Sequence, residues 1–155
     1  MNCFRIAAVA AIAFIAGNSA IGQDQSQPKS RSSSEVVSRL QGVWKAPALN
    51  KDGIRLASED TEKITITIRE DHLMFIGPDG SGWSGRFRID ASQQPVRFDL
   101  AQQTRFDKIE IQLGIVEADE NSVRIAIAMG DGQPRPAGFT ARAGVLIIVL
   151  QRPVQ

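Results

Sequence analysis

Thiols, imidazoles and any surplus of one charge are nearly missing from this chain. It has one cysteine, Cys3, and one histidine, His72. A histidine metal cluster is thereby excluded, and a zinc site would need mostly carboxylate ligands, an uncommon arrangement. Lys and Arg number 18 against 17 Asp and Glu, a formal net charge of +1. Proteins that neutralise phosphates normally carry a basic excess on one face, so this balance argues against a nucleic-acid partner. The apolar run from Ile6 to Ala16 falls short of the roughly 20 residues that span a bilayer.

That run reads instead as the core of an export leader. Arg5 supplies the positive start, and Ala20 and Gly22 are the small residues ahead of a cleavage point before Gln23. Residues 1–22 are therefore expected to be a secretory signal peptide, with an uncleaved anchor as the alternative. Cys3 does not stand at the cleavage point, where a lipobox would place it. Cleavage removes Cys3 and Arg5, leaving 17 basic against 17 acidic residues and no thiolate for a disulfide, a metal or nucleophilic attack. The mature protein is expected to be exported, periplasmic or secreted, with no stable membrane span.

The stretch 23–34, QDQSQPKSRSSS, is polar and lacks hydrophobic periodicity, so it reads as a disordered linker. Residues 35–155 are expected to form one domain of about 120 residues. Ser32 and Glu35 have capping-box spacing ahead of Val36, Val37 and Leu40, which marks a short helix.

Beyond the helix the period becomes two. In ITITI, Ile64, Ile66 and Ile68 share one face and Thr65 and Thr67 the other; RFRID, VRFDL, IEIQLGI and VRIAIAM repeat the alternation, and VLIIVL is apolar on both faces. Turn residues separate these runs at 77–82, 90–95, 118–121 and 130–138. The expected fold class is all-β: seven to nine short antiparallel strands closed into a small barrel of about eight, because closure removes exposed edges.

GSGWSG at 80–85 has the spacing of a dinucleotide fingerprint. Such a fingerprint needs a helix after the glycines to hold the pyrophosphate, and here the strand pattern RFRID follows. The stretch is expected to be a hairpin, with Gly77, Gly80 and Gly82 supplying turn conformations. Trp83 is then either a packing residue of the barrel rim or an exposed anchor for a partner.

LQGVWK at 40–45, FRIDASQQPVRFDL at 87–100, GIVEADENSVRIAIA at 114–128, RPAGF at 135–139 and LQR at 150–152 resemble the planctomycete-type lipocalin-like domain family across nearly the whole mature domain. The chain departs from the family's pattern at Val116, where an aromatic residue is usual, and in the following strand, where alanines replace a cysteine. The resemblance implies a small lipocalin-like, calycin-type barrel in an exported protein of uncharacterised function, without chemistry to transfer. It also implies that Gly42, Trp44 and Arg152 close one end, with the arginine stacked on the indole.

Candidate chemistry is sparse. His72, in REDHL before a strand, reads as an exposed turn residue. Ser84 and Ser92 with nearby aspartates satisfy the composition of a Ser-His-Asp arrangement, but no G-x-S-x-G motif supports it. Asp90 and Asp99 flank the turn before Pro95 and suggest a carboxylate pair; turn capping explains Asp90 more simply, and outward placement explains Asp99. The chain is read as a non-enzyme without catalytic residues, metal or cofactor.

If the alternation points inward, Ile64, Ile66, Ile68, Phe75, Phe87, Ile89, Phe98, Ile109, Ile111, Leu113, Ile125 and Ile127 line the lumen. An eight-stranded barrel is filled by its own side chains or holds one small ligand. Two functional readings follow: an exported barrel binding a small apolar molecule, or a structural or protein-interaction module of the cell envelope with a filled core. In the second, Trp83 and the Arg-Pro stretch 134–136 are candidate contacts with an envelope protein, and an exposed apolar patch would favour it.

Overall fold

A computed structural model describes residues 31–104 and 106–153. The expected leader at 1–22 and most of the 23–34 linker lie outside the described residues.

The first helix, α1 (Ser33–Leu40), starts where the capping signal stands. The Ser32 side chain accepts from the Glu35 amide at 3.2 Å. The carboxylate of Glu35 turns to Arg39 one helical turn on, at 3.1 Å. Val36 and Leu40, four residues apart and so on one face, are buried in the barrel core. Arg31 donates to the Ala118 carbonyl at 2.7 Å, and the Ser33 hydroxyl accepts from the Ala91 amide at 3.0 Å. The last residues of the 23–34 segment, from Arg31 onward, thus belong to the folded domain rather than to a spacer.

In chain order there follow β1 (Gly42–Lys51), β2 (Ile54–Arg55), the four-residue α2 (Ser58–Thr61), β3 (Thr65–Arg69), β4 (His72–Ile76), β5 (Gly82–Asp90), β6 (Val96–Gln103), β7 (Ile109–Ala118), β8 (Ser122–Ala128) and β9 (Val145–Gln151). From β3 onward each strand pairs antiparallel with the next, and β1 joins β3 on one side and β9 on the other. The result is a closed eight-stranded antiparallel barrel, with β2 as a short extra strand on β1. The register of β1 shifts between Lys45 and Ala48, the interval that holds Pro47. Proline lacks an amide hydrogen and is tolerated in a sheet at such irregularities.

Inward positions are large and apolar. Ile64, Ile66, Ile68, Phe98, Ile125 and Ile127 are fully buried, as are Trp44, Leu73, Leu100 and Ile148, all in one cluster with Phe87. Phe87 and Phe98 stack with ring centroids 5.2 Å apart. Phe75 and Ile89 are partly buried against the same cluster.

Strand β7 departs from the expected inward set. Ile111 is 66 % and Ile109 73 % exposed, and Leu113 lies opposite Asp99, on the outward side of the wall. The inward residues here are Val116 and Ala118, both in the core cluster, with Gly114 opposite Phe98. The run IEIQLGIVEA is apolar on one parity in its first half and on both in its second. A one-residue slip of register exchanges the two faces, and the pairing of Phe98 with Gly114 selects the parity that sends Ile109, Ile111 and Leu113 outward.

The second apolar face of β9 is covered from outside. Val145 and Ile147 form a separate buried cluster with Ile115 and Ala126, against which Phe139 packs. Arg124 sits over the Phe139 ring at 4.7 Å. No described helix is long and apolar enough to cross a membrane.

Candidate functional site

One end of the barrel is closed by α1. Trp44 donates from Nε1 to the Leu40 carbonyl at 2.8 Å. Arg152 donates to the Gln41 carbonyl at 2.7 Å and to that of Arg39 at 3.4 Å, and its guanidinium carbon lies 3.8 Å from the Trp44 ring centroid. These bonds satisfy carbonyls that a helix leaves orphaned at its C-terminus, where the helix dipole favours a cation. Gly42, at φ 119°, makes room for the arginine: a Cβ there would overlap the Arg152 guanidinium. The three residues of the implied closure therefore meet at the C-terminal end of α1.

The opposite end carries the 77–82 hairpin. The Gly77 amide donates to the Ser81 carbonyl at 2.7 Å and the Gly80 amide to that of Gly77 at 3.1 Å. Gly80 has φ 78°, and a Cβ on Gly82 would overlap the Phe75 carbonyl oxygen. The glycine spacing of GSGWSG thus serves a turn and a close strand approach. Trp83 stacks on Phe75, centroids 5.3 Å apart, and both are half-buried against the core alongside Leu56 and Met129. Trp83 is a rim packing residue.

Two clefts, each of about 410 Å³, open on the outer wall. The first is lined by Arg88, Ile89, Asp90, Arg97 and Asp99. It brings together the two aspartates singled out in the sequence, but each carboxylate already has a partner. Asp90 accepts from the Ser92 amide at 3.0 Å and from its hydroxyl. These bonds, with lesser help from Arg97 and Arg88, hold its carboxyl below the usual range. Asp99 pairs with Arg135, whose guanidinium also donates to the Gly114 carbonyl at 2.6 Å. Arg135 consequently faces the wall and Pro136 is buried, while Pro134 is exposed.

The second cleft crosses β4 to β7 and is lined by His72, Ser84, Arg86, Gln103, Asp107 and Ile109, among others. His72, 59 % exposed, meets Asp71 at 2.8 Å. The other Asp71 oxygen accepts from Arg86 at 2.9 and 2.6 Å, and this bond lowers the Asp71 pKa. Serine, histidine and aspartate are thus neighbours at 84, 72 and 71. No hydrogen bond joins Ser84 to His72 among the described residues, and Asp71 is shared with an arginine. Three or more metal-ligating side chains do not cluster anywhere among the described residues.

Next to this cleft, large apolar side chains on β7 and just before it are exposed. Phe106 is 84 % exposed, and Ile109 and Ile111 are exposed outward positions of β7. Residues 109–113 pair with β6 alone, because pairing with β8 begins at Gly114. Sequence reasoning missed Arg88 and Arg97, although both occupy outward positions of runs already read as strands. Only the β5–β6 register, Arg88 opposite Asp99 and Asp90 opposite Arg97, shows that they share a cleft.

The class these features define is a closed eight-stranded antiparallel barrel capped by one helix. No protein-family model, curated protein or solved structure matches the chain.

Proposed function

We propose that this domain is an exported protein-interaction module built on a filled, lipocalin-like barrel, working through its outer wall rather than its lumen. The observation that carries the reading is a contrast on one strand. Val116 of β7 is buried in a core with Phe87, Phe98 and the inward isoleucines, while Ile109 and Ile111 of the same strand, with Phe106, stand in water. Large exposed apolar side chains grouped together mark interaction surfaces more often than single ones do. The open edge of residues 109–113 adds unpaired amide and carbonyl groups, to which an extended segment of an envelope protein can add a strand. Export rests on the leader read at 1–22, and the lipocalin-like assignment is supported by the stack of Arg152 on Trp44.

The small-ligand reading draws support from the half-buried rim of Leu56, Phe75, Trp83 and Met129, which is a mouth if the axis opens. Native mass spectrometry of residues 23–155, purified without denaturant from an exporting host, separates the two. The bare polypeptide mass is expected; a reproducible extra mass lost on denaturation overturns the filled-core reading. A photo-crosslinking residue at position 111 is expected to capture one discrete protein, and to lose it when Ile109→Ser is added. Equal capture from position 69 would show the contact to be nonspecific.

A further inference from the structure

We infer that the β5–β6 cleft is a carboxylate-binding site, with Arg88 and Arg97 as the two groups that hold the ligand. Antiparallel pairing sets Arg88 opposite Asp99 and Arg97 opposite Asp90. Directly opposed strand residues are normally close enough to pair. Here one oxygen of each aspartate is engaged elsewhere, that of Asp90 by the amide and hydroxyl of Ser92 and that of Asp99 by Arg135, while Arg97 and Arg88 act on Asp90 only through longer-range attraction. Both arginines are exposed and form no ion pair or side-chain hydrogen bond among the described residues, although both line the same cleft of about 410 Å³.

Charge and shape then select the ligand. Three guanidinium groups, counting Arg135, stand against two carboxylates, so the cleft holds one positive charge in excess. A guanidinium presents a planar fork of donors that matches the two oxygens of a carboxylate. The diagonal placement of Arg88 and Arg97 on neighbouring strands lets both forks address one group, or two groups of a dicarboxylate. This site goes beyond the apolar contact proposed for Ile109 and Ile111 and stands without it.

The test is a titration of the full mature chain followed by the arginine Nε–H resonances in NMR. Two probes are used in parallel: succinate, and a blocked peptide containing paired glutamates. Saturable shifts of the Arg88 and Arg97 signals, weakening with added salt, are expected. A response to succinate alone identifies a free dicarboxylate as the natural source, and a response to the peptide alone identifies an acidic protein segment; either supports the site. Arg88→Gln and Arg97→Gln should each weaken the titration about tenfold, the worth of one lost charge-assisted pair, while Arg142→Gln leaves it unchanged. Both side chains are exposed, so these variants keep the fold, and unchanged amide spectra will verify it. Arg97→Lys should recover only part of the loss, because it keeps the charge without the fork. If neither probe moves Arg88 and Arg97, or if the double Gln variant titrates like the parent, the inference is overturned. An Ile109→Ser, Ile111→Ser variant should titrate normally, so failure of the apolar-face proposal and failure of this one are told apart.

Discussion

The guanidinium of Arg152 lies against the Trp44 ring, 3.8 Å from its centroid, while donating to the Gln41 carbonyl at 2.7 Å. One side chain, just beyond the last strand, thus joins the first strand to the helix that precedes it. The stack contributes roughly 0.5 to 2 kcal/mol, and a hydrogen bond from a charged donor adds about 1.5 to 3 kcal/mol. Arg152→Ala should therefore destabilise the domain by about 2 to 5 kcal/mol in urea unfolding. Arg152→Lys should recover less than half, since an ammonium keeps the charge but loses the flat stack. An unchanged midpoint for Arg152→Ala would mean that α1 closes the barrel without it.

The two faces of the wall give opposite expectations at apolar positions. Phe98→Ala removes a fully buried ring and should cost about 3 to 5 kcal/mol. Ile111→Ser, at an exposed position, should change stability by about 0.5 kcal/mol or less. Equal losses in thermal melts of the two variants would contradict the outward placement of Ile111.

Within GSGWSG the glycines should rank by what surrounds them. Gly80→Ala meets nothing within 4 Å but must hold φ 78°, which costs about 1 to 2 kcal/mol. Gly82→Ala places a methyl on the Phe75 carbonyl oxygen and Gly85→Ala one at 2.6 Å from that of Ala101, so strands β4, β5 and β6 must part. Gly82→Ala and Gly85→Ala should lower the unfolding midpoint more than Gly80→Ala. The reverse order would locate the requirement in the turn alone.

The carboxyls of Asp71, Asp79 and Asp90 are held below their usual range, chiefly by hydrogen bonds from Arg86, Ser81 and Ser92 respectively. A group whose folded pKa is depressed stabilises the fold above its unfolded pKa and loses that contribution as pH falls through the folded value. Stability should thus hold from neutrality down to about pH 4, the unfolded carboxylate range, and decline below it. Asp90→Asn should flatten the decline in urea midpoints measured from pH 6 to pH 3, because its charged form no longer distinguishes the folded state. A parent chain whose midpoint rises over that interval would contradict the assignment.

The amino-acid sequence by itself determined that this is an all-β domain entered through a short helix. ITITI, RFRID and VRIAIAM alternate with period two, and Ser32 stands at the capping distance from Glu35; both patterns act over a few neighbouring residues. The glycine turn at 77–82 was legible for the same reason, since its dihedral demand is local. Position 111 was not. The run IEIQLGI says that the two sides of a strand differ, but which side is inward depends on Phe98 meeting Gly114 across the sheet. The apolar outer face of β9 is explained by Phe139, from the loop before it, packing on the cluster of Ile115, Ala126, Val145 and Ile147. Arg88 and Arg97 read as ordinary outward charges until register set each across from an aspartate already engaged by Ser92 or Arg135. Tertiary structure decided these points because face, register and charge partners are fixed by contacts between residues distant in the chain, above all where β9 returns to β1 and closes the barrel.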